Sequence, residues 1–252
     1  MKRLLIFPLL CLLAVAGARA ASFGTNTISI LAEDADLDAA FALVARDASY
    51  AQLAATDSLE LVLDQTTDTA VVRIRSVKSD STRFDTVLTL NGTDTVRTGS
   101  KLLFYEGAEI LRLSSATGTS DTAKVTILRA TGGTHISQID AGQGADYVGQ
   151  RFVTPKELVT VLGWSPRVRA AGDTVYYEVR QYNDWLAARN PAIYPYTKIA
   201  ELKVYGTDPP VYIPIPNVAP PTQRKLWLSI WGKGGAANST GNVQLDLREV
   251  RQ

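Results

Sequence analysis

Over short stretches of this chain, apolar and polar residues alternate one for one. Glu60 and Val62 separate Leu59, Leu61 and Leu63; Arg73 separates Val72 and Ile74; Thr126 separates Val125 and Ile127. A side-chain period of two places successive residues on opposite faces, so each run predicts a β-strand with one face turned inward. Turn-forming clusters lie between the runs, at Asp64 to Asp68, Lys78 to Arg83, Asn91-Gly92-Thr93-Asp94, Ser114 to Asp121 and Thr131-Gly132-Gly133. Short strands bounded in this way predict an antiparallel sandwich or barrel. After the Gly-rich stretch Ala141-Gly142-Gln143-Gly144 a second set begins near Asp146, with strands expected at 150–153, 159–164, 174–182, 197–205, 211–215, 226–231 and 243–250. The expected fold is all-β, with two tandem antiparallel β-sandwich modules of jelly-roll type, residues 21–145 and 146–252.

Residues 36–54 break the alternation. Leu37, Ala40, Phe41, Val44, Ala48 and Ala51 recur every three or four positions, as on one face of a helix, with Asp36 placed to cap it and Asp38 in its first turn. A short N-terminal helix is therefore expected here.

The first twenty residues follow another logic. Lys2 and Arg3 precede an apolar run from Leu4 to Val15, and Ala18-Arg19-Ala20 is a small-x-small site. This is the pattern of a secretory signal peptide over residues 1–20, giving a mature chain from Ala21 outside the cytoplasm. The run is too short for a permanent span, and no later stretch is long enough, so no membrane span is expected after cleavage. Cleavage removes Lys2, Arg3 and Arg19, which takes the formal charge from +1 to −2, and it removes Cys11, the single cysteine. A cysteine-free exported chain must draw its stability from buried core instead of disulfides. A charge near zero argues against nucleic acid as a partner, since that binding needs a basic face.

Catalytic patterns are scarce. One histidine, His135, stands in a Thr-Gly-Gly-Thr-His-Ile context that reads as the start of a strand, which excludes a histidine-rich metal site and disfavours a hydrolase triad. Gly-x-Ser-x-Gly and the phosphate- and dinucleotide-binding glycine motifs are absent. Paired carboxylates could still hydrolyse a glycoside, but spacing in sequence does not reveal such a pair. Asp34, Asp36 and Asp38 gather hard oxygen ligands that would suit calcium, although the glycine and distal glutamate of an EF-hand are missing; a solvated acidic turn is the alternative.

Aromatic placement is more suggestive. In Leu226-Trp227-Leu228-Ser229-Ile230-Trp231 the period of two puts Leu226, Leu228 and Ile230 on one face and Trp227 and Trp231 on the other. Tyr176 and Tyr182 belong to a second such set. If the leucine face is core, these aromatics form a subunit interface, stack on a polysaccharide, or are covered by the other module. Residues 21–31, with Thr27, Ile28, Ile30 and Leu31 in an alternating run, could be a strand donated to the sheet edge of a neighbour, the alternative being a strand that pairs within its own module.

A resemblance adds to this reading. The run Asp85-Thr86-Val87-Leu88-Thr89-Leu90-Asn91-Gly92-Thr93-Asp94, with Val96-Arg97-Thr98 and a strand ending at Tyr105 after it, resembles a segment of β-sandwich virion structural proteins of tailed, chiefly marine, phages. Lys124 to Ile127, Ile136 to Gly144, Gln150 to Pro155 and Leu226 to Val250 are similar to that family's second half. The resemblance implies a non-enzymatic building block that assembles with copies of itself, and it carries no catalytic residue. Virion proteins assemble inside the host, so residues 1–20 set this chain apart. The expected function is a secreted structural subunit of a homopolymeric extracellular filament or surface layer, without a cofactor unless calcium binds. The alternatives are a phage virion protein, a carbohydrate-binding module using its tryptophans, and a hydrolase with an unseen carboxylate pair.

Overall fold

A computed structural model describes residues 24–251 apart from 46, 48, 115–122, 147, 171, 210, 216–224 and 236–238. The expected signal peptide and part of the turn at 114–121 lie outside the described residues. The first strands are β1 (Gly24–Leu37), β2 (Ala42–Leu43), β3 (Leu59–Leu63), β4 (Thr69–Lys78), β5 (Arg83–Asn91), β6 (Val96–Arg97), β7 (Leu102–Ser114), β8 (Val125–Arg129) and β9 (His135–Ile139). They are followed by β10 (Gln150–Val153), β11 (Glu157–Val168), β12 (Thr174–Tyr182), β13 (Tyr196–Tyr205), β14 (Ile213–Pro214), β15 (Leu226–Gly234) and β16 (Ser239–Arg251). Two 3₁₀ turns, Trp185–Ala188 and Pro191–Ile193, join β12 to β13. The protein is all-β and antiparallel, as the alternation predicts.

One sandwich packs a sheet of order β6-β3-β8-β9 on a sheet of order β5-β4-β7. Its core holds Leu59, Leu61, Leu63, Val72, Ile74, Val125 and Ile127, the apolar members of the alternating runs. At roughly 1.5–3 kcal/mol for each fully buried aliphatic side chain, this single face is a major source of cohesion. Gly132 (φ 82°) and Gly133 (φ 62°) turn β8 into β9 in a backbone region that other residues avoid.

The other sandwich packs a sheet of order β1-β16-β11-β14 on one of order β10-β15-β12-β13, with β2 pairing β15. Val159, Val161, Val175, Val179, Leu228, Ile230, Leu245 and Leu247 fill it. Here the structure departs from a tandem arrangement split between 21–145 and 146–252. β1 runs antiparallel to β16, from Gly24 opposite Arg251 to Asp34 opposite Gly241. Ile30 and Ala32 extend the apolar face of Leu245 and Val243, their register partners, so residues 24–45 complete the C-terminal sandwich. The sandwich of residues 50–146 is thus inserted between the first two strands and the rest of its neighbour.

Among the described residues of 36–54 the expected helix does not form; Ala48 lies outside them. β1 continues to Leu37, β2 pairs with Trp231 and Gly232, and Ala51 N–H donates to Ile136 C=O at 2.9 Å. Leu37, Val44 and Leu53 are buried in different places, Leu37 and Val44 against the second core and Leu53 in the first. An alanine-rich helical face offers little area, and sheet pairing that buries these larger side chains prevails.

Candidate functional site

Among the described residues, aromatic and ionised side chains gather where the sandwiches meet. The cross-strand register places Phe152 of β10 opposite Trp227 of β15, and Trp227 opposite Tyr182 of β12, which makes a row of three rings on the face away from the second core. Phe104 of β7 stacks on this row from the first sandwich, with its centroid 4.4 Å from that of Phe152 and the planes at 10°. Tyr182 and Trp227 stack at 4.7 Å. Trp185 meets Phe104 edge-on at 5.8 Å, and its Nε1 donates to Leu226 C=O at 2.7 Å. Val77 closes the cluster from β4.

Trp227 is 1% exposed and Trp231 8%. The sequence assigns their shared face correctly, but that face is covered by the inserted sandwich and by Arg180. The Arg180 guanidinium lies 4.5 Å from the Trp231 ring and 4.3 Å from Tyr196. Neither tryptophan, nor buried Tyr182, offers a ring to a sugar or a neighbouring subunit. Tyr176 stands apart from them, half-buried under Lys203 at 5.1 Å and Lys233 at 5.0 Å.

Beside the aromatic row runs an ion-pair network. Arg83 of β5 forks onto Glu157 of β11, Nε to Oε1 at 2.9 Å and Nη2 to Oε2 at 2.7 Å, and also donates to Glu106 and to Phe152 C=O. Arg151 donates to Glu106 at 3.2 Å and to Glu249 of β16 at 2.9 Å. Glu106 Oε1 accepts the Phe152 N–H at 2.6 Å. Burial by itself would raise the Glu157 carboxyl, but the Arg83 fork and the Arg151 charge outweigh it and hold the group at about 2. Glu106 is buried too, and the same two guanidiniums hold it below the usual carboxylate range. Arg83 and Glu106 come from one sandwich; Arg151, Glu157 and Glu249 come from the other. These charges are turned on one another, which ties the modules together.

A third cluster contains Asp146. Its Oδ2 accepts hydrogen bonds from Ser137 Oγ at 2.6 Å and Tyr105 OH at 2.9 Å, while burial pushes its carboxyl up to about 6. His135 Nε2 lies 2.6 Å from Asp47 Oδ2. Serine, histidine and aspartate are thus near one another but divided between two pairs, with the serine proton on a carboxylate instead of an imidazole. This is not the relay that activates a hydrolase nucleophile.

The remaining sequence candidates lie along β1. Thr27, Ile28, Ile30 and Leu31 face Arg248, Leu247, Leu245 and Gln244 of β16 in the same chain. The strand proposed for donation is therefore paired within its own sandwich. Asp34 and Asp36 belong to this strand, and exposed Asp38 follows it; among the described residues no group of three metal-ligating side chains forms. The junction residues Arg83, Glu106, Arg151, Glu157 and Asp146 were not singled out from sequence. Glu106, a lone charge inside the apolar stretch Leu102 to Ala108, is the signal that could have marked them.

No family description and no curated protein matches this chain. Among solved structures, the chain is similar to one in the structure of the infectious bursal disease virus Gt strain, with 10% identity, 91% of this chain and 77% of that chain covered, and a TM-score of 0.19. Likeness at that level carries no argument about function.

Proposed function

We propose that this protein is a non-enzymatic structural subunit, exported from the cell and built into an assembly of its own copies. The observation that supports this most is the junction: its ionised and aromatic side chains fix one sandwich to the other, which suits a rigid building block. Export rests on residues 1–20, and assembly rests on the resemblance to phage building blocks. A virion protein is the second reading, favoured by the Asp85 to Asp94 segment. The carbohydrate-binding alternative loses its main support, because Trp227 and Trp231 are covered.

The test is to express the full precursor, recover the exported protein without detergent, and examine it by intact mass, size and electron microscopy. A chain beginning near Ala21 that forms ordered polymers is the expected result. A strictly monomeric protein at high concentration, or one retained in the cytoplasm with residues 1–20 intact, would overturn the reading.

A further inference from the structure

A strand at the edge of a sheet presents a row of backbone N–H and C=O groups to whatever lies beside it, and proteins blunt such edges with shortness, charge, proline or bulges. Most edges among the described residues are blunted in these ways. β6 and β14 are two residues long, β10 four and β9 five. β7 pairs with β4 through three register shifts; β13 pairs with β12 through one and carries Lys198, Glu201 and Lys203. β1 is broken by a shift after Asp34, with Glu33 beside it.

β5 has none of these devices. Its nine residues pair with β4 in unbroken register, from Arg83 opposite Val77 to Asn91 opposite Thr69, and β4 is its one neighbour in the sheet order β5-β4-β7. Between Phe84 and Leu90 the single charge is Asp85. Val87, at the centre of the strand, is β-branched, apolar and 52% exposed. On the other face Phe84 and Leu88 stand half-buried at the margin of the first core. The core is therefore open along this edge, beside a backbone free to pair.

An identical strand suits such an edge. Antiparallel pairing about a two-fold axis through a residue sets odd positions against odd and even against even, so each face of one sheet continues in the other. With the axis at Val87, all nine residues pair. Val87 meets Val87 of the second copy, Thr86 meets its Leu88, Asp85 its Thr89, Phe84 its Leu90 and Arg83 its Asn91. No like charges stand opposed, and apolar pairs form on both faces.

We infer that β5 is a self-pairing edge: two copies of this chain join antiparallel through residues 83–91 about a two-fold axis at Val87, turning two three-stranded sheets into one continuous sheet. This names a contact for the self-assembly proposed above and rests on that reading. The contact closes on itself as a dimer, so a polymer requires a second, different one.

The test uses the full chain with Cys11→Ser, which leaves no thiol except one that is introduced. Val87→Cys is expected to give a covalent dimer on oxidation or with a short bismaleimide, while Leu111→Cys, 41% exposed on β7, is expected to give none. In sedimentation the unsubstituted protein should dimerise as its concentration rises. Val87→Lys, which opposes two lysines, should weaken that association at least about tenfold; Thr89→Lys, which sets a lysine against Asp85 of the second copy, should not. Val87 and Thr89 are exposed, so both variants are expected to keep the wild-type circular dichroism spectrum. Equal weakening by the two lysines, or polymers without a Val87→Cys cross-link, would overturn the inference and leave self-assembly standing. A protein that stays monomeric up to about 1 mM would overturn both. A cross-linked dimer that never polymerises would uphold the β5 contact and count against the polymer.

Discussion

Arg83 grips Glu157 across the boundary between the two sandwiches through two parallel hydrogen bonds, at 2.9 and 2.7 Å. The fork geometry is the strongest form of a guanidinium–carboxylate contact, and both side chains are at least nine-tenths buried here. Removing one member of such a pair leaves the other charge stranded, which costs roughly 3–5 kcal/mol. Glu157→Gln is expected to destabilise the protein by about 3 kcal/mol and to split a single calorimetric transition into two as the sandwiches melt separately. An unsplit transition at the wild-type midpoint would show that the pair does not couple the modules.

The network also sets an acid limit. Because Glu157 is held at about 2, below the usual 4.5, its stabilisation is present above pH 4.5 and is lost as pH falls through 2. Glu106 contributes in the same direction. Urea unfolding between pH 5 and pH 2 should show a steep loss of stability that is shallower in Glu157→Gln.

Asp146 acts with the opposite sign. Its folded value of about 6 lies above the usual 3.8, so the proton it holds stabilises the fold below pH 3.8, and that contribution is lost as pH rises through 6. Asp146→Asn removes the charge while keeping an oxygen for Ser137 and Tyr105. The variant should gain at most about 3 kcal/mol at pH 8 and little at pH 4, as read from chemical denaturation at the two pH values. Loss of stability at pH 8 would show that the buried charge is compensated.

Trp227→Ala opens a cavity between Phe152 and Tyr182 and is expected to cost about 3–5 kcal/mol. Wild-type tryptophan emission should be blue-shifted and poorly quenched by iodide. Glycan binding that vanishes in a folded Trp227→Ala protein would restore the stacking role the burial argues against.

Exchange of β1 between copies would reproduce the β1–β16 pairs in trans. Ser29 Oγ donates to Asp246 Oδ1 at 2.6 Å on the exposed face, and residues 21–252 contain no cysteine. A Ser29→Cys, Asp246→Cys double variant, oxidised in the assembled state, reports the arrangement directly. Covalent oligomers on a denaturing gel are expected for exchanged strands, and cross-linked monomers for the pairing seen within one chain.

Much of the fold is legible locally. Leu59, Leu61 and Leu63 alternate because one face of β3 is core and the other is not, and Gly132-Gly133 marks the β8–β9 turn because only glycine takes that backbone readily. The same period sorted Leu226, Leu228 and Ile230 from Trp227 and Trp231. What covers the tryptophan face was not legible, because it depends on Phe104, more than a hundred residues away in sequence. The helical spacing of residues 36–54 misled for a similar reason: Leu37 and Leu53 are apolar for two different cores.

By itself, the sequence determined the strand class, the turns and which residues of each strand share a face, since these follow from backbone sterics and a period of two. Only the tertiary structure decided that β1 closes the C-terminal sandwich, that Arg83, Glu106, Arg151, Glu157 and Glu249 converge, and that Asp146 is buried. Those outcomes depend on pairing and desolvation between distant segments, and the free energy of such contacts is not written in any local pattern.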